Sequence, residues 1–256
     1  MVFHIFLQAR QNSTRLPNKI LKEICGKSIF ELILERLQNI NNSKIFLVTG
    51  DSDSNKQLIE KSIELGIEYF SGSENNVLDR FFNASKKFNS KKIIRITGDC
   101  PLLNYKLINE TENIFNSNQN SVITNYLPRT FPHGYDFEIF QSEILDTAWK
   151  NVRENFSNEN KFLQSIIPPM QYITSSKKFS VYNITNSSDL GFIRLTLDYQ
   201  EDFELIKKIF EELYTEDHNF DSQQILSLLK KKPELLNLNK NYAEFNQSDL
   251  DNFLKN

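Results

Sequence analysis

Val2-Phe3-His4-Ile5-Phe6-Leu7 runs straight into Gln8-Ala9-Arg10-Gln11-Asn12-Ser13-Thr14-Arg15-Leu16-Pro17-Asn18-Lys19. An apolar run of strand length thus opens directly into a polar, cation-bearing loop. Beyond the loop, Ile29, Leu32, Ile33, Leu37 and Ile40 repeat at helical spacing. The unit is strand, loop, helix, and it recurs. Residues 45–49 read as a second strand, with a helix marked by Leu58, Ile59, Ile63 and Leu65 and closed by Gly66. Residues 67–70 read as a third strand before a helix carrying Val77, Leu78, Phe81, Phe82 and Phe88. Residues 92–97 form a fourth, ending at Gly98-Asp99-Cys100-Pro101, then a helix through Leu107, Ile108 and Ile114, and a fifth strand at 121–125. Alternation with short links predicts an α/β fold, a mostly parallel, Rossmann-like sheet covered by helices on both faces. Ligands then sit beyond the carboxyl ends of the strands, so each loop after a strand is a site candidate.

Composition narrows the rest. The 256 residues are 39% hydrophobic and 25% charged, ordinary for a globular chain. At this length about 70–75% of the unfolded surface can be buried, so no staple is needed. A net charge of −3 argues against a general nucleic-acid binder. The two cysteines, Cys25 and Cys100, make neither a disulfide scaffold nor a zinc cluster. No apolar run approaches the ~20 residues of a membrane span. Residues 2–7 are too short for a signal core and lack a basic lead. The expectation is a soluble, cytoplasmic protein.

The second half is less regular. Residues 135–140 alternate, placing Asp136, Glu138 and Phe140 on one face and Tyr135, Phe137 and Ile139 on the other. Residues 179–184 and 193–197 read as further strands and 201–213 as a helix. Past about 215 no strand pattern is visible. The expected division is a main domain over 1–214 and a helical C-terminal appendage over 215–256 with a loosely held end.

The first loop carries the clearest chemistry. Residues 1–22 hold Arg10, Arg15, Lys19 and Lys22 and no carboxylate; the first acid is Glu23. Such cations, with Ser13, Thr14 and backbone N–H groups, can wrap a polyphosphate. An exposed loop with solvated charges is the plain alternative. Neither G-x-x-x-x-G-K-[ST] nor G-x-G-x-x-G follows the first strand, which argues against P-loop kinases and dinucleotide oxidoreductases.

Five blocks in order carry a resemblance: Q-A-R-x-x-S-x-R-L-P-x-K at 8–19, Val77-Leu78-Asp79-Arg80-Phe81, residues 95–102 (R-I-T-G-D-C-P-L), residues 134–140 (G-Y-D-F-E-I-F), and residues 194–203 (R-L-T-L-D-Y-Q-E-D-F). Together they resemble the spore coat polysaccharide biosynthesis protein F family, related to the cytidylyltransferases that activate 3-deoxy-manno-octulosonate and N-acylneuraminate. Residues 232–240 (K-P-E-L-L-N-L-N-K) look like the family's tail. The resemblance implies a nucleotidyltransferase sheet of GT-A-like form. It also implies a reaction in which a sugar hydroxyl attacks the α-phosphate of CTP, a CMP-sugar forms and pyrophosphate leaves. An acidic sugar is the implied acceptor, surface polysaccharide or glycoconjugate synthesis the implied use, and a homodimer built by the second half the implied assembly.

Residue by residue, Asp99 and Asp198 match the family's two metal-side aspartates and are expected to hold Mg²⁺ with phosphate oxygens. The alternative readings are Asp99 as a turn former before Pro101 and Asp198 as a cap paired with Glu201. Arg10, Arg15 and Lys19 are expected on the triphosphate, with Gln8, Ala9 and Ser13 lining the same loop. Asp79 and Arg80 match a wall of the nucleotide pocket, or form an ion pair. Arg95 and Thr97 share a strand face, where Arg95 meets the acceptor's acid group or a neighbouring carboxylate. Asp136 and Glu138 are expected to face the sugar, with pairing to Arg95 or Arg194 as the alternative. Asn125 adds a hydrogen bond or simply ends its strand. His133 reads as a solvated loop histidine, and Asp51-Ser52-Asp53 as helix capping.

The chain departs from the family pattern in three places. Asn18 replaces a usual Gly, so the loop is expected to turn differently. Gly98 replaces a common Ala, a change read as harmless. A usual His is missing at Asn160 or Lys161, which bears on acceptor choice. Two rivals remain open: a nucleotidyltransferase using another NTP or a polyol or other phosphate acceptor, and a nucleotide-sugar glycosyltransferase, which would need Asp51 and Asp53 on its metal.

Overall fold

The protein is described here by a computed structural model covering residues 2–118, 121–176, 178–244 and 246–255. In chain order the elements are β1 (Phe3–Gln8), β2 (Glu23–Ile24), β3 (Lys27–Ser28), α1 (Ile29–Leu37), β4 (Ser43–Thr49), α2 (Lys56–Glu64), β5 (Glu68–Ser71), α3 (Val77–Lys87), β6 (Lys92–Thr97), α4 (Tyr105–Ser117), β7 (Ser121–Thr124), β8 (Glu138–Gln141), α5 (Ser142–Arg153), α6 (Glu159–Gln164), α7 (Pro169–Ser175), β9 (Ser180–Asn183), α8 (Gln200–Leu213), α9 (Ser222–Lys231) and α10 (Gln247–Lys255). Three short 3-10 turns, at Lys19–Leu21, Pro233–Asn237 and Lys240–Tyr242, complete the set.

Seven strands form one sheet in the order β5-β4-β1-β6-β8-β7-β9. Every pairing is parallel except the two made by β8. The mostly parallel α/β sheet read from the sequence is therefore present. Side chains alternate across it as a pleated strand requires. Phe3, Ile5 and Leu7 of β1 pack on the face covered by α1, α4, α8 and α9. Phe6 points to the face covered by α3, α5, α6 and α7. Both faces are thus apolar and roofed by helices. α1 starts where it does because Ser28 and Glu31 form a reciprocal capping box.

Register fixes the site. Gln8, the last residue of β1, lies opposite Val48 of β4 and Thr97 of β6. The loop after β1 and the Gly98-Asp99 turn after β6 consequently leave the same carboxyl edge.

Residues 193–197 correct the sequence reading. They are extended and buried but belong to no strand; their one ladder contact is the bridge between His133 and Arg194. The backbone N–H of His133 donates to Ile193 O at 2.9 Å, and that of Leu195 to His133 O at 2.6 Å. Gly134, at φ +113°, allows this approach, since a Cβ there would meet the Leu195 carbonyl carbon at 2.6 Å. Of residues 135–140, only Glu138 onward joins the sheet. Three helices, α5 to α7, occupy a stretch where no element was read. Ile225, Leu229, Leu236 and Phe253 pack into the same core as α8. Phe245 and Asn256 of the 215–256 segment lie outside the described residues. Among the described residues no helix is long and apolar enough to cross a membrane.

Candidate active site

The carboxyl edge of β1 and β6 opens on a cleft of about 460 Å³. One wall is the loop after β1, with Arg10, Ser13, Arg15 and Lys19. The floor is Gln8, Ala9, Thr97 and Gly98, and the acids are Asp99 and Asp198. The opposite wall comes from Glu74, Asn75, Val77 and Arg80, with Ile166 and Pro168 at the rim.

Asn18 decides how the loop delivers its cations. It sits at φ 55°, ψ 22°, the left-handed region that glycine favours and asparagine tolerates. The turn expected to differ without glycine is thus left-handed here, and the chain passes into the Lys19–Leu21 turn. Lys19 is only 12% exposed. Its Nζ donates to Leu197 O at 2.6 Å and to Asp198 Oδ1 at 2.9 Å. An ammonium has three donors, so one remains for a ligand. Arg15 Nη2 donates to the same Asp198 oxygen at 2.7 Å.

Asp198 is brought in by the 193–197 segment, which is tied to the turn after β6. Leu197 N–H and Thr196 Oγ1 both donate to Asp99 O, at 2.8 and 3.1 Å. Burial by itself would raise the Asp198 carboxyl pKa; Lys19, Arg15 and Arg194 outweigh it and hold the group below the usual range. The group therefore stays charged at neutral pH. Its side chain caps nothing. The alternative reading, a cap pairing Asp198 with Glu201, is not what forms: Asp202 Oδ2 accepts from the backbone N–H groups of Asp198 and Tyr199. Asp99 is less engaged: its carboxylate is 30% exposed, and Oδ2 lies 3.9 Å from Lys19 Nζ. The two acids flank one lysine.

Of the residues singled out in the sequence, Gln8, Ala9, Arg10, Ser13, Arg15, Lys19, Arg80, Thr97, Asp99 and Asp198 line this cleft. Asp79, Arg95, Asn125, Asp136 and Glu138 do not. Arg95 donates to both Glu138 oxygens, at 2.8 and 2.9 Å, and to Gln8 Oε1 at 2.9 Å. Glu138 also accepts from Tyr126, and burial, with Glu138 beside it, pushes that phenol up. Asp136 is gripped by both Nη groups of Arg129. Asn125 is buried and ties the Tyr135 and Phe137 backbones. In this structure Arg95 and Glu138 form the arginine–carboxylate pair that was the alternative to a sugar contact, Asp136 pairs with Arg129, and Asn125 bonds to backbone. Asp79 accepts from Trp149 Nε1 at 2.7 Å and from Asn83, not from Arg80. Arg80 donates to Ser73 O, and burial pushes its guanidinium down to about 10.

His133 is half-buried between Arg129 and Arg194, with Nδ1 3.4 Å from Arg194 Nη1. Burial first, then Arg129, lowers its pKa, so it is neutral at pH 7. Asp51 closes a turn through Asp53 N–H and Ser54 N–H, while the cap position of α2 is Asn55. Neither Asp51 nor Asp53 lines the cleft. Asn160 and Lys161 are exposed on α6 and are not among the residues that line it. Glu74, which pairs with Arg10 at 3.2 Å, went unread, since nothing in its Ser-Glu-Asn-Asn turn marks it as a site residue.

The chain belongs to the cytidylyltransferase family, whose model matches residues 4–232. It is 34% identical over 93% of its length to an uncharacterized protein of Methanocaldococcus jannaschii, covering 94% of that protein. It is 26% identical to the spore coat polysaccharide biosynthesis protein SpsF of Bacillus subtilis, over 89% of this chain and 94% of the relative. The 3-deoxy-manno-octulosonate cytidylyltransferase of Blochmanniella floridana is 29% identical over 66% of this chain and 67% of its own. A solved cytidylyltransferase from Leptospira borgpetersenii superposes with a TM-score of 0.78 at 29% identity, covering 92% of this chain and 97% of that one.

Proposed function

We propose that the protein transfers CMP from CTP to an acidic, nonulosonic-acid-like sugar and releases pyrophosphate, in the synthesis of a surface polysaccharide or glycoconjugate. The observation that carries this reading is the Lys19–Asp198–Arg15 contact opposite Asp99, in a cleft large enough for a nucleotide. Phosphoryl transfer of this kind needs alignment and neutralised charge more than covalent help. Lys19 keeps a donor for phosphate, and Arg10 and Arg15 are half-exposed at the mouth of the cleft. Each charge-assisted contact contributes on the order of 1.5–3 kcal/mol where water is excluded. The sugar hydroxyl forms its bond to the α-phosphorus as the bond to the pyrophosphate oxygen breaks, and the hydroxyl proton is released to solvent.

Mg²⁺ fits the donor set. Asp99 and Asp198 supply two carboxylates to one cleft, and the cation is usually held by one or two carboxylates plus substrate phosphates. When bound it would neutralise charge developing on the phosphates. An acidic acceptor suits a cleft edged by arginines and is what the 3-deoxy-manno-octulosonate relative is named for.

The test has two arms. Melting is measured with each of the four NTPs and Mg²⁺; a ligand at 100 Kd adds about 2.7 kcal/mol. CTP is expected to give the largest shift. Pyrophosphate release is then followed with CTP and a panel of acidic sugars, neutral sugars and polyols. A larger shift with ATP or GTP, or release with polyols alone, overturns the reading.

A further inference from the structure

Residues 239–242 reach back from the far end of the chain to the strand-end segment that carries Asp198. Asn239 is 2% exposed. Its Nδ2 donates to Asp202 Oδ1 at 2.8 Å and to Arg194 O at 3.0 Å. Three residues on, the Tyr242 ring stacks on Tyr199 with centroids 3.9 Å apart and planes 12° apart. The Arg15 guanidinium lies 5.4 Å from that same Tyr199 ring.

We propose that the C-terminal segment completes the active site, with Asn239 the positioning residue for Asp198. The inference rests on the cytidylyl-transfer reading above. The route is continuous. Asp202 is fully buried and accepts from Arg194 Nε and Nη2, each at 2.9 Å, from the Asp198 and Tyr199 N–H groups, and from Asn239. Those donors saturate a carboxylate, which has about four lone-pair sites. Saturation matters because Arg194 is shared: its Nη2 also reaches Asp198 Oδ2, at 3.4 Å. Removing the Asn239 amide leaves Asp202 Oδ1 short of a donor. Arg194 then shifts toward Asp202, and Asp198 loses a restraint on its second oxygen. Lys19 and Arg15, both on Asp198 Oδ1, lose their fixed partner in turn.

The residue type is informative. A buried amide costs free energy unless bonded. As a neutral donor it holds Asp202 without competing with Arg194, as a cation would, and without repelling the carboxylate, as an anion would. A segment serving only to cover the core would need apolar contacts such as Leu236, which is buried three residues earlier.

The experiment compares Asn239→Ala, Tyr242→Ala and Leu236→Ala in the full chain. Leu236→Ala removes packing from the same segment without touching the polar cluster. Asn239→Ala is expected to lower kcat 10- to 100-fold, with KM for CTP within threefold of the parent. Tyr242, at 38% exposed, can be truncated without threatening the fold, and Tyr242→Ala is expected to cost kcat about threefold to tenfold. Leu236→Ala is expected to lower Tm and leave kcat per folded molecule unchanged. Calorimetry of CTP with and without Mg²⁺ gives a readout free of turnover: Asn239→Ala should shrink the affinity gained from Mg²⁺, and Leu236→Ala should not. If the parent transfers no CMP, the function reading fails, and the calorimetric comparison, run with whichever NTP binds, still decides the positioning role. An Asn239→Ala protein with parental kcat, or with losses that only track its folded fraction as in Leu236→Ala, overturns the proposal. So does an unchanged Mg²⁺ gain. Should Asn239→Ala not fold, parental kcat and Mg²⁺ gain in Tyr242→Ala do the same.

Discussion

Lys19 Nζ donates to Asp198 Oδ1 at 2.9 Å across 179 positions of sequence. The contact joins the loop after β1 to a segment outside the sheet, so it reports on two independent parts of the fold at once. Lys19→Ala removes a cation from a partly buried carboxylate. Turnover is expected to fall at least 100-fold, about 2.7 kcal/mol of transition-state stabilisation. The pH dependence has a definite sign. The folded Asp198 pKa lies below its unfolded value of about 3.9. Its stabilising contribution is therefore present above pH ~4 and is lost as pH falls through the folded pKa. The Tm difference between parent and Lys19→Ala should be constant from pH 5 to 7 and shrink below about pH 4. Melting scans across pH check this; a gap that persists undiminished at pH 3 refutes the pairing.

Glu138 separates a structural role from a sugar contact. It is buried with Arg95, Tyr126 and the end of β1 around it. Burial would lower the Arg95 pKa, and Glu138 more than reverses that. Glu138→Gln strands the guanidinium. Breaking such a buried pair costs about 3–5 kcal/mol. The expected outcome is a large drop in Tm with an unchanged acceptor KM in the folded fraction. An acceptor KM raised tenfold at parental Tm would return Glu138 to the sugar.

How much of this was legible depends on which physical signal each part sends. β1, β4 and β6 announce themselves because apolar residues buried on both faces of the sheet run together between polar loops, whereas β2 and β3, two residues each, offer no such run. Asp99 lies two residues past β6, and the loop that carries Lys19 leaves β1 directly, which placed both at one edge of the sheet. Residues 193–197 alternate apolar and polar as a strand would, but their backbone bonds to the 132–134 loop and the turn after β6. A sequence pattern reports burial, not which backbone supplies the partner. α5 did leave a signal, Ile144, Leu145, Ala148 and Val152 at helical spacing, all buried. Glu138 and Asp136 share the alternation of a polar strand face, yet only Glu138 is in a strand. Charge on a face says that a partner exists and not whether it is arginine or sugar. Asn239 lies in the 232–240 block that resembles the family's tail, but in an asparagine-rich chain nothing there marks it as the buried one.

Gly98 tests how tightly the floor of the cleft is drawn. A Cβ there would lie 2.8 Å from Ala9 Cβ and 3.2 Å from Ile20 Cδ1. Gly98→Ala must therefore part the ends of β1 and β6. Overpacking of this kind costs about 1–3 kcal/mol. KM for CTP is expected to rise severalfold, and adding Ala9→Gly should restore it by clearing the contact. Steady-state kinetics on the single and double variants check this. A silent Gly98→Ala would mean that the floor has slack.

Asp99 and Asp198 stand in different surroundings, and that difference makes them separable. Asp99→Asn alters a partly exposed group whose nearest cation is 3.9 Å away. Its stability should stay within about 0.5 kcal/mol of the parent. Asp198→Asn takes the charge from between Lys19, Arg15 and Arg194 and turns one acceptor into a donor facing cations. That should cost about 1–3 kcal/mol of stability. Asparagine offers Mg²⁺ only a neutral carbonyl. If both acids serve one ion, each substitution cuts turnover at least 100-fold, about 2.7 kcal/mol. The double variant is then little worse than either single, since residues acting as a unit are not additive. Raising Mg²⁺ should recover part of the loss in the singles. The measurement is turnover against Mg²⁺ for all three proteins, beside their melting curves. Near-parental turnover in Asp198→Asn with none in Asp99→Asn would leave Asp198 only as the anchor of Lys19 and Arg15, and the metal would rest on Asp99 without it.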